Sequence, residues 1–209
     1  QPALVMSPLA AYLRREGFEV LNIDYPSMKM PVDKLAQIID DDLKAHNAFT
    51  GYDKLHFVTH SMGGLIVRSY LARNKPENPG RVVMLAPPNK GSQVADFLKD
   101  VWLYRKFYGP AGQELTTEAR KSYADTPVDF ELGVIAGTNS ILNPVSDLML
   151  EQPNDGLVSV ESTKIPGMKD HVVVNSAHAF IMNDRKPREY IVRFLKNGAF
   201  ETPLHTSKI

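Results

Sequence analysis

Five short runs of apolar, mostly β-branched residues recur along the chain, at 20–25 (VLNIDY), 55–59 (LHFVT), 81–86 (RVVMLA), 132–136 (LGVIA) and 171–175 (HVVVN). Each is close to continuously apolar rather than alternating. That pattern suits strands covered on both faces, the condition of a parallel sheet. Between the runs lie stretches with helical periodicity and legible ends. Ser7 before Pro8 reads as an N-cap followed by proline at the first helical position, with Gly17 as the stop. Over 31–49, Val32, Leu35, Ile38, Ile39 and Leu43 share one face, leaving Asp40, Asp41 and Lys44 to water. A last helix over 187–196 turns Tyr190, Ile191, Phe194 and Leu195 inward and stops at Gly198. Strand and helix in alternation predict an α/β domain: a mostly parallel sheet with helices on both faces, doubly wound through right-handed crossovers.

The 209 residues suffice for one such domain over 1–209. Lys and Arg number 24 against 24 Asp and Glu, so the net charge is zero and a nucleic-acid partner is disfavoured. No cysteine is present, which excludes a disulfide framework, a thiolate metal site and a cysteine nucleophile. With no leader in the stretch read, a cytoplasmic setting is the expectation. No apolar run approaches the ~18 residues of a transmembrane segment, and no cluster at ligand spacing calls for a metal or cofactor. Two long irregular stretches, 93–131 and 138–168, invite a functional reading. In the first, Val94, Phe97, Leu98, Val101, Tyr104 and Tyr108 recur at helical spacing, widened by Trp102, Leu103 and Phe107. A small helical cap over an acyl pocket and ordinary core packing both account for that stripe.

The run at 55–59 leads straight into His60-Ser61-Met62-Gly63-Gly64 and then into an amphipathic helix. A serine at a sharp strand-to-helix turn, flanked by small residues, is a nucleophile elbow. Its hydroxyl stands above the carboxyl edge of the sheet, and the helix N-terminus offers free N–H groups to developing negative charge. On these residues the chain resembles the α/β-hydrolase superfamily, near the small lipases and esterases. The usual Gly-x-Ser-x-Gly reads Thr59-His60-Ser61-Met62-Gly63, so the first glycine is replaced by a β-branched residue that crowds the elbow.

The resemblance implies a triad in the order serine, acid, histidine, with the acid after a later strand and the histidine after the last. Asp155, in Asn154-Asp155-Gly156, lies 94 residues beyond Ser61, and His178 lies 23 residues further on, just past the last apolar run. Asp147 shares the loop with Asp155 and is the rival acid. Of the other histidines, His60 adjoins the nucleophile, His46 and His56 precede it, His171 opens the last strand and His205 is in the tail. The implied chemistry is hydrolysis of a small-molecule or lipid ester through an acyl-enzyme, with the Met62 N–H as an oxyanion donor and no cofactor. His60, Trp102 and Leu157 are the expected substrate-binding residues. The stretch 86–92 (APPNKGS) also resembles a lipase loop beside the site, although a proline-stiffened turn explains it nearly as well.

The resemblance further implies a strand and an oxyanion loop before the first helix, the strand lying in mid-sheet between 20–25 and 55–59. Residues 2–6 could form a short strand but leave no room for that loop. Additional N-terminal residues, or another segment supplying the strand, are therefore expected. An acyltransferase or thioesterase would use the same triad, and a non-catalytic binding protein on the same fold is the reading from another class.

Overall fold

The structure, a computed structural model, describes residues 3–27, 30–48, 50–91 and 126–201. Four strands, β1 (Leu55–His60), β2 (Pro79–Leu85), β3 (Leu132–Gly137) and β4 (Asp170–Val174), form one sheet in the order β1-β2-β3-β4. Every pairing is parallel, with Val58 opposite Val83, Val83 opposite Gly133 and Ile135 opposite Val172. Of the five apolar runs expected as strands, these are four. β3 is buried along its whole length, as a strand sandwiched between helices should be.

Successive side chains of a strand point to opposite faces, and the sheet builds two cores in this way. Val83, Leu85 and Ile135 pack with Leu9 and Leu13 of α1 (Ala3–Arg15), and with Ile191, Phe194 and Leu195 of the C-terminal helix. Val82, Met84 and Val134 face the other way, against Val67. That residue belongs to the helix Gly63–Arg73, whose Leu65, Ile66 and Tyr70 meet Leu35, Ile39 and Leu43 of α2 (Val32–Ala45). Numbered in order, the helix after the elbow is α3 (Gly63–Arg73), followed by the single turns α4 (Ser146–Met149) and α5 (Val160–Thr163), then α6 (Arg185–Asn197). Gly198 closes α6 in the left-handed conformation expected of a helix stop. Among the described residues, no helix is long and apolar enough to cross a membrane.

Three expectations need correction. Residues 20–25 form no strand: the stretch 18–27 carries no ladder, and none of its residues is fully buried. A strand exists only through its neighbour's hydrogen bonds, and here no described neighbour supplies them. The first helix begins at Ala3 rather than Pro8, so residues 3–6 are helical and Ser7 is no N-cap. Instead its hydroxyl donates back to the Ala3 carbonyl, one turn before. Asp40, assigned to water, is buried on α2 and compensated by an ion pair with Lys44, whose exposed stem carries the charge outward. Most of 93–131, including the aromatic stripe and Trp102, lies outside the described residues.

Candidate active site

β1 ends at His60, and the chain reverses at once into α3. Ser61 sits at the apex with φ of +53°, a left-handed conformation that costs a non-glycine residue about 1–2 kcal/mol. Its N–H is held by the Leu85 carbonyl at the end of β2, 2.8 Å away. The Met62 carbonyl accepts the N–H groups of Leu65 and Ile66, opening the helix. Among the described residues the Met62 N–H has no acceptor. Gly63 is closely approached here: a Cβ would stand 3.1 Å from the Tyr25 hydroxyl, which would have to shift by a few tenths of an ångström, and 3.4 Å from the Thr59 Cβ, an ordinary contact.

The three residues expected as a triad converge. The His178 Nε2 lies 3.0 Å from the Ser61 Oγ, and the His178 Nδ1 lies 2.8 Å from the Asp155 Oδ2. Asp155 is 2% exposed and His178 7%. The second carboxylate oxygen, Oδ1, accepts the N–H groups of Leu157 and Val158 at 3.0 and 2.8 Å. Two backbone donors thus compensate a buried negative charge, and Oδ2 stays aimed at the imidazole. Because Nδ1 faces a carboxylate it carries the ring proton, leaving Nε2 with the lone pair turned to the serine.

The loops bearing acid and base are tied together through the backbone. The His178 N–H donates to the Asp155 carbonyl at 3.0 Å, and the Asn139 N–H donates to the Ser176 carbonyl at 3.2 Å. Gly137, which ends β3, makes this possible. A Cβ there would run into the Ser176 carbonyl oxygen and stand 2.9 Å from the Asp155 Cβ. Asn154 is buried, with Oδ1 accepting from the Ser146 hydroxyl and the Gly156 N–H. Its amide reaches Asp147. Asp147 itself is exposed and holds Gln152 and Ser140; hydrogen bonds from these side chains, Gln152 first, pull its carboxyl below the usual range. The rival acid thus braces the loop and makes no contact with His178.

Of the residues expected to touch substrate, His60 is a correction. It is 4% exposed, and its Nε2 lies 2.9 Å from the His178 carbonyl oxygen, with the two rings 4.8 Å apart. Burial, then the neighbouring His178, holds its pKa well below the ordinary histidine value. A neutral imidazole facing a carbonyl must carry its proton on that nitrogen, so His60 donates and anchors the His178 loop from behind. Leu157 is partly exposed on the acid turn. In the loop 86–91, Asn89 is wholly buried, accepting from Arg68 and donating to the Thr163 carbonyl. That loop is therefore a brace between α3 and α5. Gly137, Asn154 and Asn89 escaped sequence reading. For Asn154 a signal existed, since an asparagine next to the acid commonly closes an Asx turn.

Comparison with known proteins follows the same lines. The sequence profile of the alpha/beta hydrolase family matches residues 2–199. The chain belongs to that family. Over 54 residues it is 41% identical to a triacylglycerol lipase of Pseudarthrobacter phenanthrenivorans and to another of Burkholderia plantarii. That stretch is 26% of this chain, and it spans only 17% and 15% of the respective lipases. Among solved structures, the mature form of a Bacillus licheniformis lipase superposes with a TM-score of 0.70 at 22% identity. The superposition covers 83% of this alpha/beta hydrolase and 78% of that lipase, a likeness of fold.

Proposed function

We propose that this alpha/beta hydrolase cleaves carboxylic esters through an acyl-enzyme formed on Ser61. The observation that carries the reading is the unbroken relay from the Ser61 Oγ through the His178 imidazole to the Asp155 Oδ2, at 3.0 and 2.8 Å. His178 takes the serine proton through Nε2 as the hydroxyl adds to the acyl carbon, then returns it to the departing alcohol. Asp155 keeps the proton on Nδ1 and stabilises the imidazolium while it lasts. The Met62 N–H donates to the oxyanion, and the strain at Ser61 keeps its hydroxyl presented. Water activated by the same histidine then releases the acid.

The substrate side favours an apolar acyl group. Ile141, Leu142, Val145 and Leu148 are exposed in the stretch after β3, and Phe180 is exposed two residues beyond His178. With Leu157 on the acid turn, they leave apolar side chains bare on the loops that carry acid and base. The lipase relatives agree with that reading, and a lipid ester is the substrate class proposed. A fluorophosphonate probe and p-nitrophenyl esters of increasing chain length test it. Labelling of the folded protein, abolished by Ser61→Ala and accompanied by ester turnover, is expected. A folded chain that never labels would exclude the reading.

A further inference from the structure

The loop after β2, 86–91, is fastened both to the nucleophile helix and to the segment that carries the acid. It leaves the strand through Ala86, wholly buried yet left-handed with φ of +46°, a conformation a non-glycine residue keeps only when its surroundings impose it. Pro87 then lies against the first turn of α3, where a Cβ on Gly64 would stand 3.1 Å from the Pro87 Cβ and 3.0 Å from the Met84 Sδ. Arg68, two helical turns beyond Ser61, donates through Nη1 to the Asn89 Oδ1 at 3.1 Å. The other end of the Asn89 carboxamide faces α5. Its Nδ2 donates to the Thr163 carbonyl at 2.8 Å, and the Lys90 N–H donates to the Ser162 carbonyl at 3.0 Å. The last carbonyls of a helix have no partner within it, and this loop supplies donors to two of them. α5 is in turn continuous with the acid turn. Val160, its first residue, donates its N–H to the Pro153 carbonyl at 2.9 Å, and Asn154 pairs with Ser159 in an antiparallel bridge, so 153–160 is a hairpin that holds Asp155. The Thr163 hydroxyl also meets the His171 Nε2 at 3.0 Å, on the strand that leads to His178.

We propose, resting on the ester-hydrolase reading, that Asn89 is a positioning residue: its carboxamide fixes the acid hairpin against the nucleophile helix and so sets the geometry of the relay from Ser61 to Asp155. Its two neighbours dictate the residue type. A guanidinium offers only protons and a backbone carbonyl only lone pairs, so the strut must accept at one end and donate at the other, across one planar group. A carboxamide does both, whereas a carboxylate loses the donor and a hydroxyl loses the reach. Asn89 is wholly buried and Thr163 nearly so. A Thr163 carbonyl deprived of this donor is therefore not rehydrated, and α5 must shift to find another partner. The ion pair of Lys90 with Glu161, at 2.7 Å, spans the same two segments, but both side chains are over a third exposed, so it adds little rigidity.

The test compares Asn89→Asp, which keeps an acceptor for Arg68 but turns an oxygen on the Thr163 carbonyl, with Asn89→Ser, which shortens the strut without adding charge. Three quantities are read: kcat and KM on a p-nitrophenyl ester, the low-field NMR signal of the His178 Nδ1 proton, and hydrogen exchange at the Val158 amide. Expected in both variants are a kcat about tenfold lower with KM within about twofold, a displaced or weakened proton signal, and exchange about tenfold faster. Phe200→Leu, a core change beside Gly133 at the opposite end of β3, is the control for lost stability at large and should leave all three as in the parent. Lys90→Met should leave them unchanged as well. Should Asn89→Asp not fold, Asn89→Ser decides alone. A folded Asn89 variant with parental kcat, proton signal and exchange would overturn the proposal, as would the same three changes in Phe200→Leu. A parent that turns over no ester removes the hydrolase reading, whereas the proton signal and the exchange rate still decide whether Asn89 holds the hairpin.

Discussion

Replacing Asp155 by asparagine isolates what the buried carboxylate does. The asparagine oxygen can still accept from the Leu157 and Val158 N–H groups, as Oδ1 does now at 3.0 and 2.8 Å, so the turn survives. The amide nitrogen then replaces Oδ2, 2.8 Å from the His178 Nδ1. That nitrogen can only donate, so Nδ1 becomes an acceptor and the ring proton moves to Nε2. An N–H then faces the Ser61 hydroxyl where the lone pair stood, and general-base catalysis fails in the dominant tautomer. The expected fall in kcat is about 10⁴-fold, a barrier increase of roughly 5.5 kcal/mol, with KM changed far less. Single-turnover kinetics on a short-chain p-nitrophenyl ester measure it, with thermal unfolding as the check on integrity. Asp147→Asn is the companion variant and should keep kcat within a few-fold, since Asp147 bonds only loop residues. A folded Asp155→Asn enzyme within about tenfold of the parent rate would refute the tautomer argument.

Three further outcomes follow from the residues around the site. His60→Gln keeps a donor near the His178 carbonyl, whereas His60→Met does not. The first should retain kcat and the second lose about tenfold with KM unchanged, and equal rates in the two variants would count against anchoring. His60 is also held neutral by burial, so its folded pKa lies below the unfolded value of about 6.5. Its contribution to stability is present above that pH and declines as pH falls; a Tm series between pH 8 and 5, compared with His60→Gln, should show a shallower acid decline in the variant. Glu161, hydrogen-bonded by Lys164 and then Lys90, has its pKa lowered to about 2. The stability it supplies is present above the unfolded value near 4.5 and is lost as pH falls towards 2. Because the three side chains are over a third exposed, Glu161→Gln should flatten the Tm profile below pH 4.5 only slightly, and less so in high salt.

Much of the architecture was legible in the chain because burial on both faces leaves no room for polar residues. The runs that became β1 to β4 could be read for that reason, and the elbow stood out because a serine between a strand and glycines has few other uses. The run 20–25 looks the same in composition, yet it forms no ladder, because strand character depends on a neighbour as well as on the residues themselves. Asp40 lies on the boundary of the apolar face of α2, where a lysine one turn on offsets its burial; periodicity alone reads such a residue as exposed. His60 was misplaced for a related reason. Periodicity says which way a side chain leaves the backbone, but whether substrate or protein meets it is decided by His178, more than a hundred residues away. Gly137 carried no signal, because its role is to let two loops from distant parts of the chain approach without a Cβ between them.

Asp155 and His178 are bonded through both backbone and side chain, so they fluctuate as one body. Ser61 belongs to another, fixed to the end of β2. At the site the bodies meet at the His60 hydrogen bond to the His178 carbonyl, 2.9 Å long, and at the catalytic contact, the 3.0 Å gap from Nε2 to Oγ. Substitutions that loosen the β2–β3 seam, however far from the serine, should broaden the distribution of that one distance. Their signature would be a steeper temperature dependence of kcat with an unchanged pH profile, since the proton inventory of the relay stays as it was.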